Sequence, residues 1–315
     1  MQQYITRRIL QSVVMLVALS IAVFLLLRIA PGADPARIRC GLTCTDERYH
    51  ALRQEMGLDD SYLTQYGHWT KQLVTGSLGH DWNGGTVQHE MRRRLPVTVE
   101  LLVITIFTTL CVGVPFGILS AIFRNSPLDF VVRFGAIVGL AVPSFWLATL
   151  VLLVPQQMWG YAPPITKTFG FFESPWDNLR QFVPPAIILG AVAAAGVMRL
   201  TRSAMLEVMW KDYIRTARAK GLRDRSVILQ HALKNSLIPV VTVLGLQIAG
   251  ELGGAVIIES IFNLQGVGKY FLDALVFKDY QVVQTLTLYV GVVVVVLNLA
   301  VDVTYAWLDP RIRYS

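Results

Sequence analysis

Charge is scarce in this chain. Asp, Glu, Lys and Arg make up 16% of its 315 residues against 54% hydrophobic, and the mean hydropathy is +0.50. That balance excludes an ordinary soluble domain and points to an integral membrane protein. Cysteine is scarce too, three in all. Cys40 and Cys44 fall in the long 30–97 segment, expected outside the membrane, where a disulfide is permissible, while a two-thiol metal site there lacks further ligands at zinc spacing. Cys111 lies inside an apolar run and reads as a small core residue. Catalytic motifs are missing: there is no G-x-S-x-G and no H-E-x-x-H, and the five histidines, His50, His68, His80, His89 and His231, are scattered. NLQGVGKY (Asn263 to Tyr270) fails as a phosphate-binding loop, with Asn263 where the first glycine belongs and Tyr270 where Ser or Thr belongs. The chain is therefore not expected to be an enzyme. The alternating ten-residue segments of a membrane β-barrel are also lacking, since LLVITIFTTLCVGV (Leu101 to Val114) and VGVVVVVLNLAV (Val290 to Val301) are continuously apolar.

What is present is long hydrophobic runs. A membrane-crossing helix needs about 20 mostly apolar residues, and six runs qualify, at about 9–29, 98–122, 131–154, 183–199, 237–259 and 284–307. The first follows Arg7 and Arg8 but exceeds a signal-peptide core and lacks a small-x-small cleavage site, so it reads as retained. Counting Lys and Arg in short loops puts the N-terminus inside. Inner segments then hold fourteen basic residues, nine of them between Arg199 and Lys234, and the short outer loops hold only Lys167, Arg180, Lys269 and Lys278. The long 30–97 segment carries eight bases and eight acids; its run Arg92-Arg93-Arg94 breaks the simple charge rule, which weakens in long loops. An even number of spans leaves both termini in the cytoplasm. The division expected is 1–30 for the N-terminus and first span, 31–97 for an extracytoplasmic loop of about 65 residues, and 98–315 for a five-helix core with a loop at 200–236.

Between the fourth and fifth spans, Lys211 to Val241 holds seven bases and two acids. Asp212 is an N-cap candidate for a helix starting at Tyr213, and Ala217 and Gly221 at i, i+4 give that helix a small-residue edge ending in a glycine stop. A second amphipathic helix is expected from about Ser226, ending before Pro239 opens the fifth span. Two short helices crossing at a glycine make a compact knob. Its small residues allow close approach to a groove, and Arg215, Arg218, Lys220 and Arg223 offer charge-assisted hydrogen bonds. The alternative occupant of such a basic surface is anionic lipid headgroups.

Ala217-x-x-x-Gly221 resembles the coupling motif of binding-protein-dependent ABC importer permeases, written E-A-A-x-x-x-G, with Arg215-Thr216-Ala217 at the first three positions. The rest of the chain is similar to the oligopeptide/dipeptide branch of that family almost end to end. The similar stretches are RRILQSVVMLVALSIAVFLLLRIAPGADPA, MGLDDSYLTQYGHWTKQLVTGSLG (Met56 to Gly79), RRRLPVTVEL (Arg92 to Leu101), VPSFWLATL (Val142 to Leu150), IIESIFNLQGVGKY (Ile257 to Tyr270) and LDPRIR (Leu308 to Arg313). The resemblance implies an all-α, six-span, type I ABC importer permease that forms half of a translocation pathway for peptides. It also implies four partners: a second related permease, two cytoplasmic ATPase subunits and an extracytoplasmic substrate-binding protein. ATP and Mg would be bound by the ATPases, and this chain would carry no cofactor and bind no nucleic acid. The ATPase-coupling residues implied are Asp212, Tyr213, Arg215, Ala217, Arg218, Lys220, Gly221 and Leu222. The location implied is a prokaryotic cell membrane. Nickel complexes, glutathione or another small solute are alternative cargoes.

Ionisable groups inside spans are functional candidates by default. Glu251, four residues after Gln247 on one face of span five, would line the translocation pathway or pair with a partner subunit. Asn298 and Asp302 form a similar pair read as helix packing, as is the small-residue run GAVAAAG (Gly190 to Gly196). Arg28 is expected to snorkel outward and Glu100 to sit near the outer interface. A stand-alone secondary transporter would show internal repeats and more intramembrane charge, and a purely structural or regulatory subunit would transport nothing.

Overall fold

A computed structural model describes residues 2–29, 34–41, 44–161 and 168–308, with only the backbone of 2–5, 38, 39, 238, 242, 246 and 301–308. In chain order the helices are α1 (Gln2–Ile29), α2 (Pro35–Cys40), α3 (Asp46–Glu55), α4 (Tyr62–Val74), α5 (Val87–Ile122), α6 (Pro127–Ala141) and α7 (Ser144–Trp159). They continue with α8 (Pro175–Met209), α9 (Asp212–Ala219), α10 (Asp224–Ser226), a π-helical stretch Val227–Ala232, α11 (Leu233–Ile261), α12 (Val267–Val276) and α13 (Tyr280–Leu308). α1, α5, α8, the Pro239–Ile261 part of α11 and the Tyr280–Ala300 part of α13 are each long and apolar enough to cross a membrane. The expected third span, 131–154, is instead two helices bent by 93° between α6 and α7. Pro143 is the cause: the residue before a proline is pushed out of helical geometry, and Val142 lies in the extended region at φ −89°, ψ 122°. LDPRIR from Asp309 on lies outside the described residues, as does the Asp302 side chain.

Packing divides the chain into two compact units, 1–97 with 265–296, and 98–264 with 297–315. Residues 265–296 group with the N-terminal part.

In the first unit, α2 to α4 are ordered by side-chain caps from Asp34, Thr45 and Ser61, each accepting from a first-turn amide. A disulfide joins Cys40 to Cys44. Arg53 bridges Asp34 (3.1 Å) and Asp59 (2.8 Å). Burial alone would raise the Asp34 carboxyl, but hydrogen bonds from Tyr49 and the Ala36 amide, with the charge of Arg53, hold it below its ordinary value. Gln65 donates to the Leu58 and Asp60 carbonyls (3.2 and 2.9 Å) and accepts from Arg28 Nε (2.8 Å). Arg28 therefore does not snorkel outward. Its guanidinium lies 3.5 Å from the Phe24 ring centroid and donates to the Phe24 carbonyl and Gln284, because local acceptors replace water. A second apolar cluster joins Val87 and Met91 to Val267, Tyr270, Ala274, Val282, Val283 and Leu286. Burial, then Asp81, pushes the Tyr270 phenol well above its ordinary pKa, so it stays protonated and donates to Asp81 at 3.3 Å. NLQGVGKY is thus a turn and helix start, with Asn263 at φ 52° and Gly266 as the N-cap of α12.

In the second unit α8 is the shared element, with α6, α7 and α11 all packed on it. α5 approaches it through glycines. A Cβ on Gly113 would stand 2.9 Å from Val197, one on Gly117 2.7 Å from the Met198 carbonyl, and one on Gly190 2.9 Å from the Thr105 carbonyl. Only a missing side chain permits such spacing, the close-contact role expected for the small-residue run. Cys111 faces outward on α5 and is exposed, not a core residue, because the packed face is taken by Gly113, Gly117 and their neighbours.

Candidate functional site

The basic segment folds as two elements set against the end of α8. α9 begins at Asp212, not Tyr213; Lys211 is its N-cap, and no side chain caps it. Asp212 instead sits in the first turn, where a carboxylate complements the helix dipole. The C-terminus is a Schellman turn: the Leu222 amide donates to Ala217 (3.4 Å) and the Gly221 amide to Arg218 (2.9 Å), with Gly221 at φ 79°. That left-handed conformation is why a glycine stands there. The next element is not a separate helix ending before Pro239. α10 passes through the π stretch into α11, which runs on through Pro239. A proline removes a single backbone donor, and a helix held by tertiary packing tolerates that loss. The π turn, closed by the Leu233 amide on the Ile228 carbonyl, brings residues five apart onto one side, so Val227 and Ala232 are both buried.

These two point into one apolar cluster with Ile214 and Ala217 of α9, Met205 of α8 and Ala121 of α5. Ala217 is 8% exposed, so its small side chain lets α9 close onto its own chain rather than onto a partner's groove. The opposite surface carries Tyr213, Arg215, Arg218, Lys220, Gly221 and Leu222, all exposed. Arg215 pairs with Asp212 at 3.7 Å, Arg218 with Asp224 at 3.4 Å and Lys211 with Glu207 at 3.0 Å. Such solvated pairs contribute about 0–1 kcal/mol each. Among the described residues Lys220, Arg223 and Arg225 make no ion pair, which leaves the face net cationic.

Gln247 and Glu251 share one side of α11, as their spacing implies. Gln247 Nε2 lies 2.9 Å from where a Gly196 Cβ would stand, so α11 meets α8 there across a glycine. Its Oε1 is buried without a hydrogen bond among the described residues. The Glu251 carboxylate is half-buried beside Gly254, whose missing Cβ leaves 3.6 Å to Glu251 Oε2 and 3.3 Å to Leu189. The result is a polar strip along the α8–α11 contact.

Two buried carboxylates escaped the sequence reading. Glu259, at the far end of α11, is fully buried and accepts from Thr98 at 2.6 Å. Asp129, also fully buried, receives both Nε and Nη2 of Arg202, each at 2.9 Å, together with Ser120 Oγ and the Asn125 amide at 3.0 Å. The one local signal was Ser126 three residues before Asp129, whose Oγ caps the Asp129 amide at 3.3 Å. Arg202 was counted only as one of nine bases.

Residues 113–314 match the family described as the binding-protein-dependent transport system inner membrane component, and residues 1–88 match its N-terminal region. The chain belongs to this family. It is 37% identical to the dipeptide transport system permease protein DppB of Alkalihalophilus pseudofirmus and 36% identical to the oligopeptide transport system permease protein AppB of Bacillus subtilis. A putative peptide transport system permease of Brucella abortus is 38% identical, and all three alignments cover 100% of both chains. Its fold matches a solved structure, described as an amino acid ABC transporter with histidines, at a TM-score of 0.51 and 15% identity, over 71% of this chain and 94% of that one. This is a membrane-embedded ABC importer permease. Several stretches that carried the resemblance have structural roles in the permease: Gln65 ties the turn after α3, Pro143 makes the bend, and Gly221 closes α9.

Proposed function

We propose that this permease forms half of the translocation pathway of an ATP-driven peptide importer. It pairs with a second related permease, receives cargo from an extracytoplasmic binding protein and is driven by two cytoplasmic ATPase subunits. ATP and Mg bind to the ATPases. The chain sits in a prokaryotic cell membrane with both termini and the basic knob in the cytoplasm and the 31–97 segment outside. Full-length relationship to peptide permeases supports the cargo class. The observation that carries the coupling role is the two-sided knob, apolar side locked into its own chain and cationic side paired only with exposed acids. Asp212, Tyr213, Arg215, Arg218, Lys220, Gly221 and Leu222 would meet the ATPase, and Ala217 would hold α9 to α5 and α8. ATP-driven closure of the ATPases and docking of the loaded binding protein then bias one two-state equilibrium from opposite ends.

Purification in mild detergent with a tag on this chain tests the assembly. Co-elution of the second permease and the ATPases, followed by peptide uptake in proteoliposomes that requires ATP and the binding protein, is the expected outcome. Uptake by this chain alone would replace the importer with a carrier. Gln247 and Glu251 are assigned to the pathway on their shared face. Glu251→Gln is expected to assemble normally and change transport rate or peptide preference. Loss of the second permease from the complex would make Glu251 a pairing residue instead.

A further inference from the structure

We propose that the Asp129–Arg202 pair is a clamp that turns displacement of the knob into movement of the membrane helices. Asp129 and Arg202 are therefore positioning residues for transport, an inference that rests on the importer reading above. The clamp gathers three elements at one buried point. Ser120 comes from the end of α5, the Asn125 amide from the turn that follows, Asp129 from the first turn of α6, and Arg202 from α8. Asn125 holds a left-handed φ of 63° in that turn, which orients its amide onto Asp129 Oδ2. Arg133 adds a weaker contact to Oδ1 at 3.4 Å from an exposed position.

The clamp and the knob's apolar cluster rest on adjacent residues of the same helices. Ala121, next to Ser120, and Met205, three residues beyond Arg202 on the same face of α8, are both in the cluster that buries Ile214 and Ala217 of α9. A push on α9 therefore reaches α5 and α8 one step from the point where the ion pair ties them to each other and to α6. Stability alone is a poor reason for the arrangement, because a buried ion pair generally does no better than apolar side chains of equal volume. What it supplies is geometry: a carboxylate with a bidentate guanidinium and two further donors has one arrangement, whereas apolar contacts slide. The three helix ends then move as one body.

The test uses the complete importer in proteoliposomes and measures peptide moved per ATP hydrolysed, in complexes matched for assembly. Asp129→Asn and Arg202→Gln are expected to keep ATP hydrolysis near the wild-type rate while transport falls about tenfold, the size of a typical lost coupling. Arg133→Gln, which removes only the exposed partner, should leave the ratio unchanged. The clamp is overturned if the ratio in Asp129→Asn and Arg202→Gln equals that of the wild type, whether both activities persist or decline together. Where those variants do not assemble, Ser120→Ala removes one donor and keeps the ion pair. A lowered ratio in it supports the clamp, and an unchanged one overturns it. If hydrolysis by the wild-type complex ignores the loaded binding protein, the importer reading itself fails, a result separate from either.

Discussion

Two basic stretches of this permease, Arg92-Arg93-Arg94 and the run from Arg215 to Arg225, carry similar charge and use it in opposite ways. The first is partly absorbed. Arg94 is 12% exposed, bonds to Glu90 at 2.8 Å and Gln265 at 3.3 Å, and lies 4.8 Å from the Tyr270 ring centroid. Its charge serves the packing of α5 against α12. The second run is left open. Its arginines pair only with exposed acids at 3.4–3.7 Å, and the side of α9 facing its own chain is apolar. Counting bases does not separate these cases. Whether neighbouring elements supply acceptors does.

The largest expected effect breaks the open stretch. Gly221→Trp puts a side chain where φ is 79° and, among the described residues, nothing beyond its two chain neighbours lies within 4 Å of the new Cβ. Within the permease the cost is the left-handed backbone, about 1 kcal/mol, so the subunits should still assemble. Against the ATPase proposed to dock here, the indole would clash. Binding-protein-stimulated ATP hydrolysis and peptide uptake are expected to fall at least about tenfold. Unchanged coupled uptake would reassign the knob to lipid headgroups.

Next in size is the absorbed stretch. Arg94→Met leaves Glu90, 18% exposed, with only the distant Arg93 and removes the ring contact. A loss of about 2 kcal/mol is expected, read as earlier thermal unfolding in detergent. Arg215→Met, whose pair with Asp212 is solvated, should change stability by less than about 0.5 kcal/mol yet weaken retention of the ATPases on purification. Equal stability losses in the two variants would erase the distinction.

The fold was legible where one residue type dictates local chemistry. Five of the six apolar runs gave membrane-crossing helices, and Gly221 and the Gly190–Gly196 run announced a helix stop and a close helix contact. Elsewhere the deciding partner is far along the chain. The bend at Pro143 needed only a local rule, but hydropathy averages over it. The break expected at Pro239 failed because a π turn and tertiary packing carry the helix through. Ala217 carries the small-residue signal of a partner contact, but it shares a buried cluster with Met205 and Ala121 of its own chain. The ion pair of Asp129 with Arg202 spans 73 residues, a distance over which periodicity and motif spacing carry no signal.

The smallest effect lies inside the absorbed run and sharpens the comparison most. Arg93 neighbours Arg94 but is 62% exposed, and its nitrogen is 3.9 Å from Glu90, at the edge of an ion pair. If burial and acceptor geometry decide what a charge contributes, Arg93→Gln should alter stability by less than about 0.5 kcal/mol, and peptide uptake should be unchanged. Raising salt should not change that result, because little interaction exists to screen. If Arg93→Gln destabilises the permease as much as Arg94→Met, the three arginines act as one electrostatic unit, and the contrast with the knob is one of position along the chain rather than of supplied acceptors. Thermal unfolding of the two variants side by side, at low and high salt, decides between these accounts.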